Sequence, residues 1–203
     1  MIMGHALQTS SQAIFGARRA GILSGIPHHV PMLTINRLCG SGAQSVVSAA
    51  QMIMLGEAET VVAGGMENLS QSPHVLRDER TTYKLGRSPR KGEEIPRDME
   101  DYFFTNLRDD VCGYFMAQTS DELCKMLDVS REDADSFAAL SHQRAENSIR
   151  NGIWEDEIVE VITPDGVLGS AHDDHVVIGT TIESLSGLRT HFGPDSLVTA
   201  GNA

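Results

Sequence analysis

The segment at residues 31–66 constrains the fold more than any other part of this chain. Residues 32–35 form a short apolar run with β-branched members, which is typical of a buried strand. Gly40-Ser41-Gly42 follows closely and predicts a sharp turn. Residues 43–55 are apolar on almost every side of a helical projection, which favours a buried helix over an amphipathic one. The segment therefore predicts a strand, a tight turn and a buried helix, in that order.

The residues around this segment continue the alternation of strands and helices. Gly56 ends the helix, and residues 60–63 predict a second short strand that leads into Gly64-Gly65. Residues 1–3 lie in an apolar run and predict another strand. A helix is expected over residues 10–22, capped by one of its first two serines. This alternation predicts an α/β fold with a parallel or mixed sheet covered on its faces.

Cys39 lies between the predicted strand and the predicted helix, where a thiol is well placed to act as a nucleophile. The first turn of a helix carries unpaired N–H groups and the positive end of the helix dipole, and both stabilise a thiolate. The following glycines allow an acyl group to approach the backbone, and the N–H of Cys39 is a candidate oxyanion donor. By position alone, a lone Cys in such a turn is more often a small buried side chain than a nucleophile.

Two motifs at a fixed spacing carry a resemblance to a known family. Residues 36–42 read Asn-Arg-Leu-Cys-Gly-Ser-Gly, and residues 62–70 read Val-Ala-Gly-Gly-Met-Glu-Asn-Leu-Ser. Together they resemble the N-terminal half of the thiolases, the acetyl-CoA acyltransferase family. The resemblance continues through residues 116–122 and reaches Val-Thr-Ala-Gly-Asn-Ala at residues 198–203. It covers essentially the whole chain, and it leads us to expect that the sequence is incomplete at both ends.

The fold that the resemblance implies is a partial thiolase fold. It consists of a mixed sheet with a buried central helix and an inserted α+β loop domain. Residues 1–70 are expected to form the N-terminal core that bears the nucleophile. Residues 71–203 are expected to form the loop domain over the active site and to return to the core at their C-terminal end. In thiolases, such a loop domain helps to form tetramers and contacts coenzyme A.

The activity that the resemblance implies is acyl transfer between 3-ketoacyl-CoA or acetyl-CoA and coenzyme A through a cysteine acyl-enzyme. Thiolysis, or the reverse Claisen condensation, needs a thiolate, a base that forms it, a second acid/base for the carbanion and oxyanion donors. Cys39 matches the nucleophile of the family. The activating His, the Asn that holds a water and the second Cys belong to its C-terminal half. These 203 residues alone are therefore expected to be inactive.

The family's substrate contacts carry over to four further positions. Met116 matches the Met that lines the acyl pocket, and Ser184, Phe192 and Ala200 match contacts to coenzyme A. Coenzyme A and acyl-CoA are thus the implied partners, and coenzyme A is a substrate rather than a cofactor. For the complete protein, the resemblance implies a homodimer or homotetramer.

The chain departs from the family's pattern close to these positions. Many short-chain members have His before the pocket Met and Gly after it, where this chain has Phe115 and Ala117. In this respect it is more similar to the 3-ketoacyl-CoA thiolases with a broader chain-length range. Ser120 replaces the usual Ala of the same helix start. Val177 stands where some members have a pocket Arg, which weakens any account of how the nucleotide end is held.

Net charge indicates which kinds of partner to expect, and cysteine usage indicates the redox state of the compartment. The formal net charge of −12 argues against nucleic acid or a membrane surface as the main partner. Basic residues still concentrate at residues 77–108, mixed with acidic ones, where they are candidates to meet ligand phosphates. The three cysteines show no Cys-x-x-Cys spacing and indicate a reducing compartment. The cytoplasm is expected, or the mitochondrial matrix or a peroxisome in a eukaryotic cell.

The rest of the chain predicts scaffold helices joined by polar loops. A capping-box pattern at residues 119–122 predicts a helix to about residue 127 with Leu123 and Met126 facing inward. Ser130 predicts the start of a longer helix that ends at about residue 152 and has Phe137 on its inner face.

The connections in this part of the chain are predicted with less regular structure. Residues 77–101 are densely charged and contain Gly and Pro, which indicates a surface excursion. Residues 158–162 and 176–178 predict short strands around a polar turn. Thr181 or Ser184 is expected to start a last short helix.

His172-Asp-Asp-His175 has the composition of a metal site but not its usual arrangement. Four consecutive loop residues do not converge easily on one ion, and no other Cys or His lies nearby at ligand spacing. We therefore favour a solvated turn and expect no metal.

Two hypotheses of different classes remain. In the first, the chain is part of a thiolase whose complete form transfers acyl groups through Cys39. In the second, it is a catalytically incomplete, truncated thiolase that at most binds coenzyme A or a partner subunit. An unrelated cysteine hydrolase does not account for Gly-Gly-Met-Glu-Asn at residues 64–68.

Overall fold

The computed structural model describes residues 1–77, 99–163, 165–166, 168–170 and 173–203. It divides into two compact units, Met1–Leu107 and Arg108–Ala203. The predicted division at residue 70 follows the family's loop domain rather than contacts within this chain, and it stays a prediction. In the parts of the chain that the structure describes, no helix combines the length and the apolar character needed to cross a bilayer.

The first unit is built around a three-stranded parallel sheet. Its elements in chain order are β1 (Ile2–Gly4), α1 (Gly16–Leu23), β2 (Leu33–Ile35), α2 (Ser41–Met54), β3 (Ala63–Gly65), β4 (His74–Leu76), β5 (Met99–Asp101) and α3 (Tyr102–Leu107). The strand order is β2-β1-β3, and Ile2 of the central strand pairs with Leu33 on one side and Ala63 on the other. The predicted alternation is confirmed, although β3 begins later than expected and contains both glycines.

Helix α2 packs on β1 and β3 through small residues. Ser41, Ser45 and Ala49 are its buried members, and the Ser45 hydroxyl lies 2.8 Å from the Gly64 carbonyl oxygen, to which it donates. The apolar side chains on the opposite face, such as Met54, are exposed to solvent. The prediction of a buried helix is therefore wrong for this chain, because three strands cover only one side of α2.

Helix α1 reaches the sheet through residues without bulky side chains. Gly16, Ala17 and Gly21 are buried, and the Ala17 N–H donates to Thr34 Oγ1 on β2 at 3.1 Å. The predicted serine cap is wrong, because a short 3₁₀ turn at Ala13–Phe15 leads into α1 and no side chain caps either element. Thr34 satisfies one of the helix's unpaired donors instead.

Strands β4 and β5 pair antiparallel, with His74 opposite Asp101 and Leu76 opposite Met99. Arg77 and Glu100 form an exposed ion pair at 2.8 Å beside this ladder. Residues 78–98, which contain most of the basic cluster, lie outside the described residues, so its predicted contact with phosphates stays a prediction.

The second unit consists of helices with one small antiparallel ladder. Its elements are α4 (Met116–Leu127), α5 (Arg131–Arg150), β6 (Val161–Ile162), β7 (Leu168–Ser170) and α6 (Ile182–Ser186). α5 packs against α6, and the buried apolar residues Ala139 and Leu185 come from these two helices. Thr181 caps α6 by accepting the Ser184 N–H at 3.2 Å, so Thr181 is the cap and Ser184 lies inside the helix.

The predicted start and inner face of α4 are wrong. The helix begins three residues earlier than the predicted capping box, and the Phe115 N–H donates to Gln118 Oε1 at 3.1 Å. Leu123 is 54% exposed and Met126 is 81% exposed, whereas Asp121 is buried. Apolar periodicity does not predict the buried face of α4, because that face carries Asp121, whose carboxylate accepts a hydrogen bond from the Leu197 N–H.

The longer helix α5 also buries a polar residue and exposes an apolar one. Its start at Ser130 is confirmed, but Phe137 is 72% exposed, while Asp135 and Ala139 face the interior.

The two predicted strands in this unit have different outcomes. β6 lies within residues 158–162 and pairs with β7, whereas residues 176–178 form no strand. The reason is that backbone donors there are engaged by α5: the Val177 N–H donates to His142 Nδ1 at 3.3 Å, and the Gly179 N–H donates to Glu146 Oε2 at 2.9 Å.

The N-terminus of α5 carries a reciprocal cap whose loss should be measurable. Ser130 Oγ accepts the Asp133 N–H, while the Ser130 hydroxyl and N–H both donate to the Asp133 carboxylate. These hydrogen bonds, the hydroxyl's first, hold the pKa of Asp133 below its usual range. The part of the cap that depends on the ionised Asp133 carboxylate is therefore complete above the ordinary carboxyl pKa of about 4. It is lost as pH falls through the depressed pKa.

We expect Ser130→Ala to lower the free energy of unfolding by about 1 kcal/mol at neutral pH. Thermal unfolding between neutral and acid pH tests this, and the gap to wild type should narrow once Asp133 is protonated. Ser141→Ala, at an exposed position in the middle of the same helix, is the matched control and should change little. Equal effects of both substitutions at all pH values would contradict the cap.

Candidate functional site

Cys39 is exposed and lies directly before Gly40, the N-cap of α2. It follows β2 by four residues at the carboxyl edge of the parallel sheet, the edge at which ligands bind in α/β proteins. The predicted position between strand and helix is confirmed. The interpretation as a small buried side chain is contradicted by the exposure of Cys39 in this chain.

The residue before the cysteine has an unusual backbone. Leu38 has φ of 49°, in the left-handed region that residues with a Cβ rarely occupy. Such a conformation persists only where surrounding contacts impose it, and it is found preferentially at functional sites. The turn therefore presents Cys39 in a conformation fixed by its neighbours.

Hydrogen bonds on both sides fix this turn. Asn36 Oδ1 accepts the Leu38 N–H at 2.8 Å, and the Asn36 amide donates to the Ala6 carbonyl at 2.8 Å. Ser41 Oγ accepts the Arg37 N–H at 2.8 Å and donates to the Leu38 carbonyl at 2.6 Å. Asn36 thus ties the turn to β1, and Ser41 ties it to α2.

The second sequence motif supports the same edge of the sheet. Glu67, two residues after β3, accepts the Ala6 N–H at 2.8 Å and the Leu7 N–H at 3.2 Å. His5 Nε2 lies 3.2 Å from the same carboxylate, and His5 is buried. The chain segments that leave β1, β2 and β3 are therefore joined to one another by side chains of the two motifs.

A glycine allows α2 to approach this edge closely. A Cβ at Gly4 would lie 2.5 Å from the Ser41 carbonyl carbon and 2.7 Å from the Gly42 nitrogen, both of them backbone atoms. Only glycine at the end of β1 lets the first turn of α2 rest on the strand. The position of Cys39 depends on this contact.

Two of the predicted substrate contacts meet around one aromatic pair. Met116 is the first residue of α4 and is partly exposed. The ring of the preceding Phe115 stacks on Phe192, with centroids 6.0 Å apart and planes inclined by 23°. Met116 and Phe192 are thus brought to the same part of the second unit.

The other two predicted contacts also belong to the second unit. Ser184 is exposed, but its hydroxyl donates to the Thr181 carbonyl at 2.8 Å and accepts the Thr181 N–H at 3.0 Å, so only one lone pair is left for a ligand unless the side chain rotates. Ala200 is exposed on the segment that follows Phe192. The His191 N–H donates to the Val198 carbonyl at 3.0 Å and closes this segment. The roles of Met116, Ser184, Phe192 and Ala200 in substrate binding all stay predictions.

The acidic turn near residue 174 is entirely on the surface. Ligand atoms of Asp173, Asp174 and His175 lie within 4.8 Å of one another, and all three residues are exposed. His172 lies outside the described residues. The expectation of a solvated turn without metal stays a prediction.

Sequence reasoning missed residues that hold the structure in place around Cys39 and around the predicted substrate contacts. No sequence signal marks Leu38, because leucine is not a residue that favours positive φ. Gly4 was not singled out, although a glycine at the end of a predicted strand next to a glycine-rich turn is a signal for close backbone approach. The Arg131–Asp135 pair, in which the carboxylate is buried and the Arg131 side chain is partly exposed, follows the i, i+4 spacing of helical ion pairs and was also detectable.

Fold and geometry define an α/β protein that presents an exposed cysteine between a parallel strand and the start of a helix. The family model for the thiolase N-terminal domain matches residues 1–203, and the chain therefore belongs to the thiolase family.

Comparisons with individual proteins agree with this assignment. The chain is 41% identical over 205 residues to human mitochondrial 3-ketoacyl-CoA thiolase and 37% identical over 206 residues to acetyl-CoA acetyltransferase of Cupriavidus necator. In both cases the match covers 100% of this chain and 50% of the relative.

Solved structures also match this chain over its whole length. The crystal structure of human mitochondrial 3-ketoacyl-CoA thiolase in complex with CoA matches with a TM-score of 0.86 and 40% identity, over 100% of this chain and 48% of that one. The Bacillus anthracis acetyl-CoA acetyltransferase matches with a TM-score of 0.83 and 34% identity, over 100% and 49%. The chain thus spans about half the length of these relatives.

Proposed function

We propose that the complete protein is an acyltransferase that moves acyl groups between 3-ketoacyl-CoA or acetyl-CoA and coenzyme A, with Cys39 as the nucleophile. The observation that carries this proposal is the exposed Cys39 sulfur at the carboxyl edge of the sheet, directly before the N-cap of α2. The names of the related thiolases and acetyltransferases support the same reaction class.

The proposed thiolysis proceeds in two steps. The Cys39 thiolate attacks the 3-keto carbon of a 3-ketoacyl-CoA, and the bond between C2 and C3 breaks. The acyl group stays on the sulfur, and the departing carbanion takes up a proton to become acetyl-CoA. The thiol of coenzyme A then gives its proton to a base and attacks the thioester, which releases the shortened acyl-CoA and restores the Cys39 thiolate. The Claisen condensation is the reverse sequence.

The described residues supply part of what these steps require. The Gly40 and Ser41 N–H groups donate to the Arg37 and Leu38 carbonyls at 3.1 and 3.0 Å, so they do not serve as oxyanion donors in this conformation. The Cys39 N–H remains the proposed donor. The bases for the thiol and for the carbanion are proposed to come from the part of the relatives' length that this chain does not span.

Substrate binding is proposed for the second unit. Met116 lines the acyl pocket, and Ser184, Phe192 and Ala200 contact coenzyme A, which is a substrate and not a resident cofactor. The stacking of Phe192 on Phe115 and the exposure of Ser184 and Ala200 are compatible with these roles. The protein is further proposed to act as a homodimer or homotetramer.

A reducing compartment is proposed as well. Its support is that all three cysteines are free thiols. The human relative is named as mitochondrial, so the cytoplasm and the mitochondrial matrix are the compartments to examine first.

A direct assay of the full-length protein tests the proposal. We expect consumption of acetoacetyl-CoA and of longer 3-ketoacyl-CoA substrates that depends on added coenzyme A and yields acetyl-CoA. Phe115 and Ala117 favour a range that extends beyond the shortest substrate. Absence of thiolysis with every chain length, in protein that is folded and reduced, would contradict the proposed function.

A further inference from the structure

A buried charged network lies behind the predicted coenzyme A contacts. Asp135 on α5 is 1% exposed and accepts a hydrogen bond from Arg131 Nε at 2.8 Å. Its other oxygen accepts a hydrogen bond from the Asn202 amide at 2.9 Å. Both carboxylate oxygens are thus engaged by separate donors, as a buried charge requires.

Asn202 organises the segment that contains Ala200. Its amide also donates to the Leu197 carbonyl at 2.9 Å, and its side-chain oxygen accepts the Thr199 N–H at 2.8 Å. The single side chain of Asn202 therefore closes residues 197–202 into a loop and attaches that loop to Asp135. Thr199 in the middle of the loop is 1% exposed, whereas the neighbouring Ala200 is exposed.

The same network reaches the helix that contains Ser184. Arg131 Nη2 donates to the carbonyls of Leu185 and Leu188, at 2.9 and 3.1 Å, at the end of α6. Gly201 packs on these two leucines, because a Cβ there would lie 2.5 Å from Leu185 Cδ2 and 2.6 Å from Leu188 Cδ1. Loop 197–202 and α6 are thus held against each other and against α5.

A second buried carboxylate holds the start of the loop. Asp121 on α4 is buried and accepts the Leu197 N–H at 2.8 Å. Two carboxylates on different helices therefore fix the two ends of loop 197–202. A buried ion pair is often no more stabilising than apolar residues of the same volume, so the directional hydrogen bonds are its distinctive contribution.

We propose that Asp135 is a positioning residue for coenzyme A binding. Through Arg131 it fixes α6, which presents Ser184, and through Asn202 it fixes the loop that presents Ala200. This inference rests on the proposed function, because it takes Ser184 and Ala200 as coenzyme A contacts.

Asn202→Ala in the full-length protein is the first test, because it frees the loop but leaves the Arg131–Asp135 pair in place. We expect the KM for coenzyme A to rise roughly tenfold or more, because the loop loses its hydrogen bond to Asp135 together with the two hydrogen bonds that the Asn202 side chain makes within the loop. kcat at saturating coenzyme A should stay near wild type, since Cys39 is untouched. Asp135→Asn keeps the side-chain volume and should raise the same KM at least as much.

The double variant and a surface control separate positioning from general destabilisation. Asp135→Asn combined with Asn202→Ala should raise the KM by less than the product of the two single effects, because the two substitutions share the Asn202–Asp135 hydrogen bond. Glu122→Gln removes an exposed ion pair with Lys125 on α4 and should change neither KM nor kcat. If Asp135→Asn does not fold, the comparison of Asn202→Ala with the Glu122→Gln control tests the positioning role by itself.

Direct titration of coenzyme A by calorimetry distinguishes this inference from the proposed function. If wild type binds coenzyme A without thiolysis, the proposed function fails, and a Kd weakened by Asn202→Ala still supports the positioning role. A folded Asn202→Ala protein with wild-type Kd and KM would overturn the positioning role even if thiolysis is confirmed. Failure of wild type to bind coenzyme A would overturn it as well.

Discussion

Cys39→Ala in the full-length protein is expected to lower kcat/KM for thiolysis by roughly a thousandfold or more, because the acyl group loses its attachment point. Binding of coenzyme A should be nearly unchanged, since the predicted contacts lie in the second unit. The exposed position of Cys39 also means that its replacement leaves no cavity, so the thermal unfolding midpoint should stay close to wild type.

The matched control for this substitution is Cys112→Ala. Cys112 is also a free, exposed cysteine, but it is distant in sequence from both motifs and has no proposed role. Its replacement should leave turnover intact. Loss of activity in both variants, or retention in both, would contradict the assignment of Cys39 as the nucleophile.

Gly4→Ala is expected to be the most damaging single-methyl substitution in the first unit. The added Cβ would meet the Ser41 and Gly42 backbone at 2.5 and 2.7 Å, and backbone cannot rotate away as a side chain can. The first turn of α2 must then move off β1, at a cost of about 2 to 3 kcal/mol in the free energy of unfolding. Because Cys39 moves with that turn, kcat/KM should also fall, by roughly a hundredfold for a displacement of about 1 Å.

Gly187→Ala is the control for this prediction, measured in the same urea-unfolding and thiolysis experiments. Gly187 follows α6 with negative φ, and no atom lies within 4 Å of the Cβ it would gain. It should therefore be close to neutral. Wild-type stability together with wild-type kcat/KM in Gly4→Ala would show that the helix does not depend on this contact.

The fold of the first unit was predictable because its signals are local. The apolar run before Cys39, the glycines around Ser41 and the helix-forming stretch after them each determine an element within a few residues. The alternation of strands and helices predicted a parallel or mixed sheet, and the sheet is parallel. The exposure of one side of α2 was not predictable, because periodicity reports which faces are apolar and not what covers them.

Predictions of inner faces failed in the second unit for a related reason. Leu123, Met126 and Phe137 were expected inside because they are apolar, yet Asp121 and Asp135 occupy the covered positions. Those carboxylates are buried because loop 197–202 and Arg131 offer them donors, and such long-range partners leave no periodic signal in the sequence.

One part of the candidate site can be predicted from the local sequence, and another part depends on contacts in the folded chain. Cys39 was identified from its position and its motif. The conformation of the preceding Leu38 arises only once Asn36 and Ser41 hydrogen-bond around it, so it needs the folded turn.

Trapping the acyl-enzyme tests the central claim most directly. Full-length protein is incubated with acetoacetyl-CoA without free coenzyme A, quenched in acid, cleaved with trypsin and analysed by mass spectrometry. The account predicts one acetyl group on Cys39, within the peptide that spans residues 38–77, and its removal when coenzyme A is added before the quench. Acetylation of another residue, or turnover without any covalent acyl group on Cys39, would contradict the account.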